Sequence, residues 1–143
     1  MRFAAKSKRF HDPNTALPLG LAAAAFAMRD EDGGGLSVTE VEFFGPLSPD
    51  TRRQAAVAYR ESQASKKLGS EAVFAWASVD AIKRAALGYE KTVRVVHAPV
   101  DGNPGHAEVR HFTYDDLDLL AFFASDVFLN YEIVGEMGLP PRT

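Results

Sequence analysis

A chain of 143 residues that is 46% hydrophobic and 24% charged has the size and composition of one folded domain, too rich in apolar residues for a disordered chain. The absence of cysteine excludes a disulfide framework, a thiolate zinc site and a catalytic thiol. A net charge of -3 argues against general nucleic-acid binding, which needs an excess of Lys and Arg on the contacting face.

At the amino terminus Arg2, Lys6, Lys8 and Arg9 precede an apolar stretch from Ala16 to Met28. That is the outline of a secretory leader, but the stretch is mostly alanine and is broken by Pro18 and Gly20. It is therefore expected to stay in the protein, and the protein in the cytoplasm. No run of about 18 strongly apolar residues occurs, so no membrane-spanning helix is expected. Residues 1–15 read as an arm, either mobile or docked on the domain or a partner. Leu19 to Met28 is short enough to suit strand or helix. Strand is favoured, because the polar, Gly-rich turn from Arg29 to Gly35 leads into a β-branched and aromatic segment, Leu36 to Phe44, as in a hairpin. Leu36 and Val38 share one phase of that segment while Val41 and Phe43 share the other. A bulge near Thr39 and Glu40, or burial of both faces, reconciles them.

Ser48-Pro49-Asp50 is a helix start, with a capping hydroxyl, a proline in the first turn and an acid at the positive end of the dipole. The helix is expected to run to about Lys67 with a shallow, alanine-rich buried face. Arg53, Arg60 and Lys67 fall on one stripe of it, ordinarily a solvated face and alternatively an anion-binding surface. Glu71 to Ala77 reads as a strand, Ser78 as the cap of a helix ending at Gly88, and Thr92 to Ala98 and Val109 to Phe112 as strands. Asp115 to Asn130 is amphipathic, with Leu117, Leu120, Phe123, Ala124, Val127 and Phe128 on one face. The expected order is strand, strand, helix, strand, helix, strand, strand, helix. This is an α/β domain of the α+β type, a mixed sheet with about three packed helices over residues 16–134, followed by an irregular tail at 135–143.

Three of the four histidines lie between His97 and His111. If the flanking strands pair, the loop from Pro99 to Gly105 brings His97 and His106 together at its mouth with Asp101 and Asn103 above them. Imidazoles so placed suit proton transfer near neutral pH. His97 and His106 are thus candidate catalytic residues, and Asp101, Asn103, Glu108 and Arg110 candidate ligand contacts, with His106, Glu108 and Arg110 sharing one strand face. His106 and His111 point to opposite faces of a regular strand, so no metal site is assigned. No phosphate-binding, nucleotide-binding, zinc-hydrolase or serine-hydrolase motif is present, and no cofactor is called for. Gly102-Asn103-Pro104-Gly105 is, in the plainer reading, turn chemistry.

Asn103-Pro104-Gly105-His106-Ala107-Glu108-Val109 resembles an Asn-Pro-x-His-Ala-x-[Ile/Val] stretch in short uncharacterised bacterial proteins. The resemblance covers this segment alone and implies no activity, although such small proteins are often accessory members of multi-gene systems. The leading expectation is accordingly a non-catalytic interaction or accessory protein that docks on a larger protein partner, in a bacterial conflict or defence system, or that self-associates. The alternative is a small enzyme or ligand-binding domain with its site at the His97 to His106 loop.

Overall fold

The structure, a computed structural model, describes residues 1–15, 18–28, 34–63 and 66–142. Eight strands are described: β1 (Arg2–Ala4), β2 (Arg9–His11), β3 (Pro18–Leu21), β4 (Gly35–Thr39), β5 (Val73–Trp76), β6 (Arg94–His97), β7 (His106–Arg110) and β8 (Asn130–Ile133). The helices are α1 (Pro49–Ser62), α2 (Val79–Gly88) and α3 (Leu117–Phe122). Among the described residues the fold is α+β with three α-helices, as expected. Its strands form three small antiparallel sheets, β1-β5-β8, β2-β3 and β4-β7-β6, in place of one mixed sheet.

Helix α1 starts as its sequence directs. The Ser48 side chain accepts from the Thr51 amide at 3.1 Å, and the Thr51 hydroxyl oxygen accepts from the Ser48 amide at 2.8 Å, so two amides that the helix leaves unpaired are satisfied reciprocally. The helix stops at Ser62, short of Lys67, because the Gln63 amide turns to the Arg60 carbonyl three residues back and the Ser62 hydroxyl donates to the Tyr59 carbonyl at 2.7 Å. Ala55 and Ala56 are fully buried, and with no bulk beyond Cβ they let α1 lie close on Met1, Val41 and Phe74. Ser78 caps α2, its hydroxyl accepting from the Ala81 amide at 3.0 Å.

Two expected elements are rearranged. The segments 19–28 and 36–44 do not form a hairpin, since β3 pairs with β2 and β4 with β7; most of the turn that was to join them, residues 29–33, lies outside the described residues. The conflict of phase in 36–44 is resolved by ending the strand at Thr39, after which Val41–Phe44 form a 3-10 turn. The long carboxy-terminal helix is likewise cut short. After Phe122 it opens into one π-helical turn, Phe123–Val127, with the Phe128 amide bonded to the Phe123 carbonyl at 2.9 Å, and then becomes β8 beside β5. The wide turn resets the helical phase, so that Phe123 and Phe128 both reach Phe26, at ring-centroid distances of 6.0 and 4.7 Å. Leu117, expected on the buried face, is 67% exposed, and Leu119 is buried instead. Asp116 just before α3 accepts from the Thr113 amide at 2.6 Å and pairs with Lys91 at 3.2 Å; the Thr113 bond, with help from Lys91, holds its carboxyl below the usual range.

Residues 1–15 are docked on the domain. Strand β1 pairs with β5, and the buried Arg9 donates to the Glu71 carbonyl at 2.9 Å. Met1 carries this pairing across to the third sheet. Its α-amino group donates to the Thr39 carbonyl at 2.6 Å, and the Thr39 amide donates back to the Met1 carbonyl at 2.8 Å. Burial pushes the pKa of that amine from 8.0 down to about 5, because a cation there would lose its water.

With a free amine at Met1, the unfolded chain takes up a proton between pH 8 and pH 5 that the folded chain resists. Stability should therefore rise with pH across that window, by on the order of a few kcal/mol. Urea midpoints measured from pH 5 to 8 check this; acetylating the amine should flatten the slope.

Candidate functional site

The loop between β6 and β7 is packed down rather than open. Val100 and Asn103 exchange both backbone hydrogen bonds across its tip, at 3.2 and 3.0 Å, and the Glu40 amide donates to the Gly105 carbonyl at 2.8 Å. Asn103 is fully buried, its side-chain amide donating to the Thr39 hydroxyl at 2.9 Å, so it fastens the loop instead of facing a ligand. Gly102, at φ +79°, passes so near the end of α1 that a Cβ would stand 2.9 Å from the Glu61 carbonyl carbon. Asp101 remains exposed at the tip.

The strands bracketing this loop do pair, but they separate the two candidate histidines. His97 lies opposite Ala107, so His97 and His106, the neighbour of Ala107, project from opposite faces of the sheet. They do not form one site.

On the outer face, the His106 ring bridges neighbouring strands. Its Nδ1 lies 2.6 Å from the Ala98 carbonyl oxygen and its Nε2 2.7 Å from the Ser37 hydroxyl. A carbonyl can only accept, so Nδ1 carries a proton; in the neutral form of the ring Nε2 then offers its lone pair and Ser37 donates to it. Glu108 and Arg110 share this face as expected, and they bond each other at 2.7 Å. Ser37 was absent from the candidates because only the β4-β7 pairing, sixty-odd residues apart in sequence, brings it to His106. Its one local signal is its place between two apolar neighbours, Leu36 and Val38, which turns it to the other face of the strand.

On the inner face, His97 stacks on Phe43 at 5.7 Å and lies 3.5 Å from a Glu40 carboxylate oxygen. Beside them opens a cavity of about 670 Å³ between β4, the 41–44 turn, the end of β5 and the start of α2. Val38, Ile82, Val95 and Val109 form its floor and Trp76 part of its wall. Its rim is apolar and exposed, with Phe43 at 50%, Leu47 at 56% and Val79 at 43%. Among the described residues, the charged side chains lining it are Glu40 and Glu42, both acidic. Met1 also lines it; its buried α-amine, with a pKa lowered to about 5, is uncharged at neutral pH.

The stripe on α1 is turned to structural use. Arg53 donates to the Met137 carbonyl at 3.0 Å and Arg60 to the Pro140 carbonyl at 2.6 Å, while Arg142 returns to the Arg60 and Lys66 carbonyls at 2.7 and 2.9 Å. These bonds strap the carboxy-terminal segment along the helix. Lys67 lies beyond the helix end, beside Arg60 and Arg142 on a shallower hollow. Among the described residues, no three His, Asp or Glu side chains converge as a metal site would need, and no helix is long and apolar enough to cross a membrane. Compared with protein-family models, curated proteins and solved structures, the chain matches none.

Three substitutions test these contacts through stability. Replacing Gly102 with alanine forces a positive φ on a side chain that also meets backbone, and should cost about 2 kcal/mol or more in urea unfolding. His106→Ala strands the Ala98 carbonyl and the Ser37 hydroxyl and should cost about 2 kcal/mol, whereas His97→Ala, at a half-exposed position, should cost about 0.5 kcal/mol.

Proposed function

We propose that this protein acts by binding: it is an interaction or accessory module that receives, in the cleft beside Phe43, an apolar anchor from a protein partner. The observation that carries this reading is the rim of the cleft. Phe43, Leu47 and Val79 stand exposed around a cavity floored by core residues. Their solvation is unfavourable by roughly 25 cal/mol for each Å² left uncovered, and grouped exposed apolar residues of this kind typically mark contact surfaces. A cavity of about 670 Å³ is large enough for one or two leucine-sized or aromatic side chains, the usual form of a buried hot spot.

Charge selects the occupant. With Glu40 and Glu42 as its charged lining, the cleft favours a segment whose apolar anchor is flanked by Lys or Arg and disfavours an acidic one. The α+β framework supports such a use. The floor of the cleft is on paired strands and one wall is the capped start of α2, so a partner meets a preformed surface and little ordering has to accompany binding.

The test uses Trp76, the single tryptophan of the chain, as a fluorescent reporter in the cavity wall. Short peptides with a Leu-Phe core flanked by lysines should bind and shift its emission, and the same core flanked by glutamates should not. Leu47→Asp should abolish the response at unchanged stability, and Glu40→Gln with Glu42→Gln should weaken it several-fold. Equal binding of the acidic and basic peptides, or no response to either, would overturn the reading.

A further inference from the structure

We propose that Ser37 is a nucleophile for acyl transfer, with His106 as its general base, on the sheet face opposite the cleft. Three features of the pair carry this. First, the distance from the Ser37 hydroxyl to His106 Nε2, 2.7 Å, is that of a base already holding the proton it is to take. Second, the base is itself oriented: the Ala98 carbonyl, 2.6 Å from Nδ1, fixes the tautomer with its lone pair on the serine. This is the nucleophile, base and orienting group arrangement of serine hydrolases, with a backbone carbonyl in the place of the carboxylate. Third, the serine and the histidine sit on paired strands. Ser37 lies opposite Glu108 and His106 opposite Thr39, so the two side chains are diagonal neighbours on one face, and Ala98 just beyond β6 closes the arrangement, its amide bonded to the His106 carbonyl at 2.9 Å.

The surroundings leave the pair able to react. Both residues are half-buried and so reachable from solvent. The one carboxylate directly opposite the serine, Glu108, is engaged by Arg110 at 2.7 Å and leaves the imidazole to the hydroxyl. Arg2 donates to the Ser37 carbonyl at 2.8 Å and so holds the serine's main chain in place. A face of this openness suits substrates with an unhindered acyl carbon, that is, small activated esters or thioesters.

In the reaction, the Ser37 oxygen bonds to the acyl carbon as its proton passes to His106 Nε2. The bond to the leaving group then breaks, and the departing alkoxide or thiolate takes that proton from the imidazolium. Water repeats the sequence on the acyl-serine: it gives its proton to Nε2, releases the acid and returns the proton to Ser37.

The experiment is treatment of the full chain with a fluorophosphonate, which forms a phosphorus–oxygen bond to an activated serine and expels fluoride. Intact mass and peptide mapping then locate the adduct. A single adduct on Ser37, with the helix-capping Ser48 and Ser78 unmodified, is the expected result; Ser37→Ala should give none, and His106→Gln should slow labelling by about 100-fold or more. Because His106 also braces the sheet, added imidazole serves as a second measurement: it should restore labelling of Ser37 in a folded His106→Ala protein. No adduct on Ser37, labelling of the capping serines at a comparable rate, or an unchanged rate in a folded His106→Gln protein would each overturn the proposal.

Discussion

Three parts of the chain meet at Thr39. Its carbonyl and amide are both taken by Met1, and its hydroxyl accepts from the side chain of Asn103. The next residue, Glu40, donates its amide to Gly105. One buried position thereby joins the β1-β5-β8 sheet, the β4-β7-β6 sheet and the loop after β6. Sheets this small need an apolar face or a packed helix to be stable, and such cross-links add to the core that provides it. Both the polar Thr39 and Asn103 are essentially buried; their mutual bond satisfies the Asn103 side-chain nitrogen and the Thr39 hydroxyl, while the Asn103 side-chain oxygen is buried without a hydrogen-bond partner.

The β4-β7-β6 sheet divides the molecule into two working surfaces. Alternation along β4 sends Val38 inward to the cleft and Ser37 outward to His106, and alternation along β7 does the same with Val109 and His106. The histidine cluster, which in sequence looks like one site, is therefore two unrelated environments. His97 belongs with Phe43 and Glu40 on the binding side, and His106 with Ser37 and the Ala98 carbonyl on the other. A partner seated in the cleft would leave the serine face exposed.

What could be read from the sequence was local. The Ser48 and Ser78 caps, both helix starts and the hydrophobic strands β5 and β6 depend on neighbours within a few residues, and these are where the structure agrees. The strand pairing of β4 with β7 rather than with β3 depends on contacts between segments far apart in sequence, which periodicity does not encode. The long carboxy-terminal helix failed for a different reason. Its apolar residues fit a helical stripe through Phe128, yet packing both Phe123 and Phe128 on Phe26 needs an extra residue in the turn, a tertiary demand that local propensity cannot announce. The basic stripe was legible as a stripe, but its use as a strap needs the carboxy-terminal carbonyls in place.

The two surfaces stand or fall with the register of β4 on β7. A slip of one residue would exchange the inward and outward sets, burying Ser37 and exposing Val38. Turn chemistry cannot prevent this, since β4 and β7 are not joined by a hairpin. Steric fit at one end opposes it: Gly35 approaches Glu108 so closely that a Cβ there would stand 2.9 Å from the Glu108 Cβ, so sliding Leu36 into that place would force the strands apart. At the other end the buried Thr39 to Asn103 bond would be broken, leaving two polar groups unpaired at about 1–3 kcal/mol each. The same contacts that hold the domain together thus decide which residues line the cleft and which serine meets the imidazole.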